Sequence, residues 1–281
     1  MFNVQVLINF YVKGLRCYNN MLEETQQLKS KFKLDDKQHN FAECADAYCG
    51  KDAVVLSCGP SIKSIDLNTL KEWSEGKLVV CLKQSYNLAR GWCDIHHNSF
   101  VNFQDYNYIG NPIRVLQWWF PQHKRDNEQA FIDSDIILKI RPHDPSISVL
   151  SASLNNEQFN KMYLLNRDSG SIRVGPGMIY ETGFSFLRYI GVKKITTFGW
   201  DLSVGKTDKS WHFYSGEDDD NNTVTYKSGV FGEVPHALRA IPKISNFLKT
   251  SGITVDIVSD TSPVKADDTF NKIGLDEWYN R

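Results

Sequence analysis

Residues 54–62 read VVLSCGPSI, and this stretch decides which fold class the sequence predicts. The run 53–57 is short, apolar and rich in β-branched residues, as is typical of a buried strand. It stops abruptly at Cys58, and Gly59, Pro60 and Ser61 follow as a turn. An ordinary strand-to-helix turn accounts for this ending. The alternative is a nucleotide pocket, in which glycine lets an anion approach the backbone and a helix N-terminus faces a phosphate.

Similar apolar runs recur along the chain, and helical stretches separate several of them. We predict strands at 53–57, 78–82, 94–98, 114–119, 136–140, 171–174, 194–198 and 253–258, the last being the final strand. We predict helices at 65–73, 178–189 and 235–249, with Asp66 as a cap of the first and Gly191 as the stop of the second. This alternation indicates an α/β fold with a mostly parallel central sheet and flanking helices.

Length and composition bound the domain organisation and the partners. The chain has 281 residues, 41% of them hydrophobic, which is enough for a sizeable core. We expect an N-terminal helical extension over 1–50, a main domain over 51–260 and a C-terminal tail over 261–281. The polar segment 203–233 is long enough to be a lid or a binding loop of the main domain. The balance of 32 basic and 33 acidic residues argues against a nucleic-acid binder.

The cysteines and the N-terminus bear on location. None of the six cysteines forms a C-x-x-C pair, so both a zinc site and a disulfide scaffold are disfavoured. Cys58 and Cys81 lie in or beside apolar runs, where cysteine is usually a small buried residue. The N-terminal apolar stretch lacks the features of a signal peptide and is shorter than the about 20 residues of a membrane span. We therefore expect a cytoplasmic protein, and peripheral contact with a membrane stays open.

A second glycine-bearing turn follows the run at 171–174. Arg173 precedes Gly175, Pro176 and Gly177, and a predicted helix follows them. Because ligands bind at the carboxyl ends of strands in an open α/β sheet, the two turns can face one crevice. The planar guanidinium of Arg173 suits a phosphate or a carboxylate, and an ion pair at the surface is the alternative.

The order of these motifs is similar to that of a known enzyme family. The relevant segments are VVLSCGPSIKSIDLNTL at 54–70, VVCLKQSYNLA at 79–89, DIHHNSF at 94–100, RVGPGMIYETGFSFLRYIGVKKITTFGWDL at 173–202 and EVPHALRAIPKISNFL at 233–248. Together they resemble the bacterial lipooligosaccharide sialyltransferases of glycosyltransferase family 42. The resemblance covers roughly residues 52–258, in the same order throughout.

This resemblance implies a fold, a reaction and a set of partners. The fold is a Rossmann-like variant glycosyltransferase fold with a lid, here 203–233. The donor is CMP-activated sialic acid, the acceptor is a glycan, and the inverting transfer needs neither a metal nor a cofactor. His236 falls on the catalytic histidine of the family, and Asn98 falls on a donor-contacting asparagine. The family often forms tetramers, which implies a homo-oligomer.

Departures from the family pattern concentrate at the donor pocket. Cys58 and Lys83, next to Gln84, stand where the family has asparagines, and Pro176 replaces its serine. The positions of its two lid tyrosines fall on Ser203 and near Trp211, His212 or Tyr214. These changes bear on the identity of the donor more than on the fold, and the charge of Lys83 can replace a lost hydrogen bond.

Sugar transfer requires a base for the acceptor hydroxyl and hydrogen-bond donors for the leaving phosphate. We predict His236 as the base, because it follows Pro235 at a predicted helix start whose dipole keeps an imidazole neutral. A capping or surface histidine is the alternative. Arg173, His212 and Tyr214 are the predicted phosphate donors. The predicted donor-binding residues are Cys58, Gly59, Pro60, Ser61, Lys83, Gln84, Asn98, Gly175, Pro176, Gly177 and Asp201.

No metal site is predicted. Asp201 ends a strand, but a second aspartate at D-x-D spacing is missing from the sequence. His96 and His97 are adjacent in a predicted strand and so point to opposite faces. Trp200 is either a platform for a sugar ring or a core residue.

Three other functions stay open at this point. The first is a transferase that uses another nucleotide sugar. The second is an Mg²⁺-dependent pyrophosphokinase-like enzyme of the domain-of-unknown-function 115 type, whose first turn is similar. The third is a non-catalytic module that binds a nucleotide or a glycan.

Overall fold

A computed structural model describes residues 41–99, 106–118, 128–140, 154–165, 171–172, 179–202, 213 and 227–281. For a few of these, including 227–236, the backbone is described and the side chain is not.

A nine-stranded sheet forms the centre of the described structure, and every neighbouring pair of its strands is parallel. The strands are β1 (Asp52–Leu56), β2 (Leu78–Leu82), β3 (Ile95–Ser99), β4 (Ile113–Trp118), β5 (Ile136–Ile140), β6 (Ser171–Ile172), β7 (Lys194–Phe198), β8 (Thr254–Val258) and β9 (Phe270–Ile273). Their spatial order is β6-β5-β4-β3-β2-β1-β7-β8-β9. The predicted α/β class with a mostly parallel sheet is confirmed.

The strand order reverses at β1. From β1 the chain builds outward to β6, then returns to the other side of β1 with β7 and builds outward to β9. Such a reversal separates the loops that leave the carboxyl ends of the two central strands and leaves a crevice between them. The loops that follow β1 and β7 therefore flank the position where open α/β sheets bind ligands.

Helices connect the strands. They are the short 3₁₀ segments Pro60–Ser64 and Lys83–Leu88, the π-helix Ile179–Phe186, and the α-helices α1 (Leu67–Trp73), α2 (Glu128–Asp133), α3 (Asn156–Tyr163), α4 (Leu187–Tyr189), α5 (Lys227–Thr250) and α6 (Leu275–Tyr279). The predicted cap of α1 is confirmed, because the Asp66 carboxylate accepts a hydrogen bond from the Thr69 N–H at 2.7 Å. Gly191 takes a φ of 94° just after α4, as a helix stop requires.

Two boundaries differ from the prediction. The helix expected at 235–249 begins at Lys227, so Pro235 lies well inside α5 rather than at its start. The strand β8 is not the final one, because β9 pairs with it from within the residues expected to be a tail. The β9 sequence FNKI lacks the β-branched run that marks the other strands, and only its two end residues are buried.

The sheet is buried on both faces. Val55 packs into one hydrophobic cluster with α5 and the π-helix, while Val54 and Leu56 pack into another with α1. A parallel sheet covered on both sides explains why its strands read as continuous apolar runs rather than alternating ones. Phe41, Cys44 and Tyr48 belong to the first cluster, so the end of the predicted N-terminal extension packs onto the sheet.

Candidate functional site

The turn after β1 packs tightly against the end of β7. The Gly59 N–H donates to the Gly199 carbonyl at 2.9 Å, which continues the contact between the two strands. A Cβ on Gly59 would lie 2.3 Å from the Gly199 oxygen and 2.5 Å from Asp201 Oδ2. Glycine is therefore required at position 59 because the protein's own backbone and carboxylate approach it.

Asp201 joins three loops at the switch point of the sheet. Its side chain is almost completely buried, and Oδ2 accepts the Ser61 N–H at 2.7 Å. Its other oxygen accepts the hydroxyls of Ser259 at 2.8 Å and Thr261 at 3.2 Å, both from the β8–β9 connection. Hydrogen bonds to a buried carboxylate are strong, so Asp201 fixes the β1 turn against two neighbouring loops.

These contacts bear on the nucleotide-pocket alternative for this turn. In that alternative the backbone faces an anionic ligand, but the N–H groups of Gly59 and Ser61 donate to Gly199 and Asp201. The anion that approaches this turn is the Asp201 carboxylate. The Ser61 hydroxyl remains available to a ligand, since its Oγ is buried without a hydrogen-bond partner in the described part of the chain.

A second group of predicted residues meets at the carboxyl ends of β1, β2 and β3. The Cys58 thiol lies 3.2 Å from the Leu82 carbonyl and 4.0 Å from Gln84 Oε1. Burial raises the pKa of the Cys58 thiol to about 11, so it is a neutral packing group. The expected burial of Cys58 and Cys81 is confirmed.

Asn98 is the last residue but one of β3, and only the oxygen of its side-chain amide has hydrogen-bond partners in the described residues. Its Oδ1 accepts the Ser99 N–H at 2.9 Å and the Tyr106 hydroxyl at 3.4 Å. Its Nδ2 is buried and has no hydrogen-bond partner among the residues that the structure describes. A buried donor without a partner costs about 1–3 kcal/mol, so this amide is suited to a ligand that supplies an acceptor. Ser57 Oγ, which directly follows β1, is also buried without a hydrogen-bond partner within the described ranges.

Lys83 follows β2 directly and has a left-handed backbone, with a φ of 52°. Its carbonyl lies 2.8 Å from His96 Nε2, and His96 Nδ1 lies 2.7 Å from the Tyr108 hydroxyl. Burial lowers the pKa of His96 to about 4 and also lowers the pKa of His97, so both imidazoles are neutral at pH 7. Lys83 therefore lies beside imidazoles that carry no charge at pH 7.

Phe213 is the one described residue between 203 and 226, a segment that makes up most of the predicted lid. Its N–H donates to the Cys58 carbonyl at 2.9 Å, and its ring packs on the same cluster as α1. Phe213 stands between His212 and Tyr214 in the sequence. One residue of the predicted lid thus contacts the β1 turn.

Several predicted residues lie outside the described residues: Arg173, Gly175, Pro176, Gly177, His212 and Tyr214. His236 has a described backbone and no described side chain. Its position nonetheless corrects the electrostatic expectation, because α5 begins at Lys227 and His236 lies more than two turns inside it. The dipole effect of a helix N-terminus is confined to the first turn and does not act there.

Trp200 is a core residue rather than an exposed sugar platform. It is 3% exposed and makes edge contacts with Tyr180, Phe184 and Phe270 at ring-centroid distances of 5.3–5.7 Å. No sequence signal indicates the roles of Ser259 and Thr261, because a serine or threonine after a strand is an ordinary loop residue.

Comparison of the chain with models of known protein families and with curated protein sequences gives no match. In the described ranges, no three His, Cys, Asp or Glu side chains are grouped so that they can hold a metal ion. No helix within those ranges has the length and apolar character needed to cross a bilayer.

Proposed function

We propose that the protein is a glycosyltransferase that binds a nucleotide sugar at the carboxyl edge of its sheet. The carrying observation is that Cys58 contacts Gln84 at the strand-order reversal, while Lys83 and Asn98 lie at the carboxyl ends of the neighbouring strands β2 and β3. These four residues come from two loops and a strand, and the prediction of a donor pocket named all of them. Ligands of open α/β sheets bind at this place.

The chemistry of this edge suits a phosphorylated ligand. Lys83 provides a positive charge, and the Asn98 Nδ2 and Ser61 Oγ groups provide hydrogen-bond donors that are otherwise unused in the described structure. Charged and neutral donors of this kind stabilise a leaving phosphate. The resemblance to sialyltransferases favours a CMP-linked acid sugar as donor and a glycan hydroxyl as acceptor.

His236 is the proposed base of a metal-independent, inverting transfer. A neutral imidazole accepts the proton of the acceptor hydroxyl as that oxygen attacks the anomeric carbon, and the bond to the nucleotide phosphate breaks. The segment 203–233 is the proposed lid, because its residue Phe213 contacts Cys58, and a lid at this place would exclude water from the donor.

A donor screen tests this proposal. The protein is incubated with CMP-, UDP- and GDP-linked sugars, with and without EDTA, and the released nucleotide is measured. We expect CMP release with an added glycan acceptor, unaffected by EDTA, and its loss in His236→Ala with CMP binding retained. Mg²⁺-dependent release of AMP from ATP would contradict the proposal, and so would nucleotide binding by a parent protein that shows no turnover.

The variant Asn98→Asp tests the pocket separately. It keeps the oxygen that accepts from Ser99 and Tyr106, and it replaces the unused amide N–H₂ with an oxygen that repels a phosphate. We expect CMP affinity to fall at least about tenfold. Asn87→Asp is the matched control, because Asn87 is an exposed residue of the neighbouring 3₁₀ segment. This variant should bind CMP as tightly as the parent does.

A further inference from the structure

The backbone of Lys83 is in a conformation that lysine rarely adopts. Its φ of 52° places it in the left-handed region, which favours glycine and to a lesser degree asparagine. Such a conformation persists only where surrounding contacts impose it, and these places cluster at functional sites. Lys83 is also the first residue beyond β2, next to the central strand β1.

Contacts on both sides of Lys83 impose this conformation. The Leu82 carbonyl lies 2.8 Å from the Ser85 hydroxyl and 3.2 Å from the Cys58 thiol. The Ser85 hydroxyl also lies 2.7 Å from the Leu56 carbonyl, so it connects the ends of β1 and β2. The next carbonyl, that of Lys83, meets His96 Nε2 at 2.8 Å.

The hydrogen bonds of His96 determine which of its nitrogens carries the proton. A carbonyl only accepts, so Nε2 carries the hydrogen that it donates to Lys83. In a neutral ring Nδ1 then accepts, and the Tyr108 hydroxyl donates to it at 2.7 Å. The His96 ring is buried against Tyr86 and Tyr106, and the guanidinium of Arg114 lies 5.7 Å from the centre of the Tyr108 ring.

We infer that His96, oriented by Tyr108, is a positioning residue that holds Lys83 in its left-handed conformation so that the ammonium group meets the phosphate of the bound nucleotide. The positioning role rests on the proposed function, since it takes that phosphate as the anion. Neither histidine nor tyrosine at these positions carries a recognisable sequence motif. The role follows from two hydrogen bonds that join strand β3 to two loops.

A double-mutant cycle tests this positioning role. The dissociation constants of CMP and of inorganic pyrophosphate are measured by calorimetry for the parent, Lys83→Gly, His96→Phe and the double variant. We expect His96→Phe to weaken binding about tenfold when Lys83 is present and less than about twofold in the Lys83→Gly background. His96→Gln keeps a neutral N–H donor and should restore most of the affinity. Equal losses in both backgrounds would show that His96 is merely structural and would overturn the inference.

Tyr108→Phe provides a second, milder variant in case His96→Phe does not fold. It removes only the hydroxyl that donates to His96, and we expect about threefold weaker binding that again disappears with Lys83→Gly. If the parent binds pyrophosphate but not CMP, the proposed donor is rejected. The cycle then still measures the coupling between His96 and Lys83, with pyrophosphate as the probe. A parent protein that binds neither probe would overturn both proposals.

The backbone strain has its own test, which needs no ligand. Lys83→Ala and Lys83→Gly both remove the charge, but only glycine suits a φ of 52°. We expect the unfolding equilibrium constant of Lys83→Gly to be about threefold smaller than that of Lys83→Ala. An alanine variant as stable as the glycine variant would contradict the imposed conformation.

Discussion

Replacement of Gly59 by alanine tests the packing at the switch point of the sheet. Gly59 has a φ of −67° and a ψ of 154°, values that alanine adopts readily, so the backbone conformation itself does not resist the change. The change is resisted because there is no room for a Cβ at this position. The new Cβ would lie 2.3 Å from the Gly199 carbonyl oxygen, where ordinary contact begins at 3.4 Å.

The size of the effect follows from the contacts that must open. The turn has to move by about 1 Å, and the groups in its way are a backbone carbonyl and a carboxylate held by hydrogen bonds from both sides. This movement breaks the bond from Gly59 to Gly199 and the charge-assisted bond from Ser61 to Asp201. A neutral bond contributes about 1 kcal/mol and a bond to a charged group about 1.5–3 kcal/mol, so we expect a loss of about 2.5–4 kcal/mol.

Gly274→Ala is the matched control. Gly274 has nearly the same backbone angles, −63° and 153°, and also precedes a short helix. Its Cβ would lie 3.2 Å from Asp260 Oδ1, the end of an exposed side chain that can move away. Urea unfolding followed by circular dichroism gives both free energies of unfolding. A Gly59→Ala variant within about 1 kcal/mol of Gly274→Ala would refute the packing described here.

Two further predictions concern charge. The pKa of His96 is about 4 in the folded protein and 6.5 for an ordinary imidazole, so acid protonates the unfolded chain first. The corresponding stability is present above pH 6.5 and is lost as the pH falls toward 4, by about 3 kcal/mol. Because the pKa of His97 is also lowered, His96→Gln still loses stability in acid, and urea unfolding at pH 7 and pH 4 should show a loss about 3 kcal/mol larger in the parent than in this variant. Asp201→Asn removes one acceptor oxygen and should cost about 1–3 kcal/mol. Thermal unfolding should show a smaller effect for Asp260→Asn, whose carboxylate is exposed and accepts one N–H at 3.1 Å; equal effects would show that the Asp201 network does not stabilise the switch point.

Much of the fold is predictable from local patterns. The strands β2, β5 and β7 have the predicted limits, and β1 differs from its prediction by one residue at each end. Their signal is a short β-branched run buried on both faces, which depends on neighbours in sequence alone. The Asp66 cap is similarly local, since its partner is three residues away.

The start of α5 was not predictable in the same way. Pro235 usually begins a helix or lies just outside one, because it lacks an N–H. Here α5 begins at Lys227, and both Pro235 and Pro242 lie in its interior. Buried residues further along the helix, such as Ala237 and Ile244, pack on the sheet, and tertiary packing of this kind overrides a local preference.

The sequence by itself determined an α/β chain with a parallel sheet, the turn at Gly59 and a set of polar residues at strand ends. Only the tertiary structure decided which of these residues meet. Asp201 bonds to a residue 140 positions earlier, and Lys83 depends on a histidine from the next strand. A pattern of neighbours predicts that a turn needs glycine, but the atom that fills the space beside it comes from a distant strand. Beside Gly59 this space is filled by the Gly199 carbonyl oxygen and the Asp201 carboxylate, because the order of the strands places β7 beside β1.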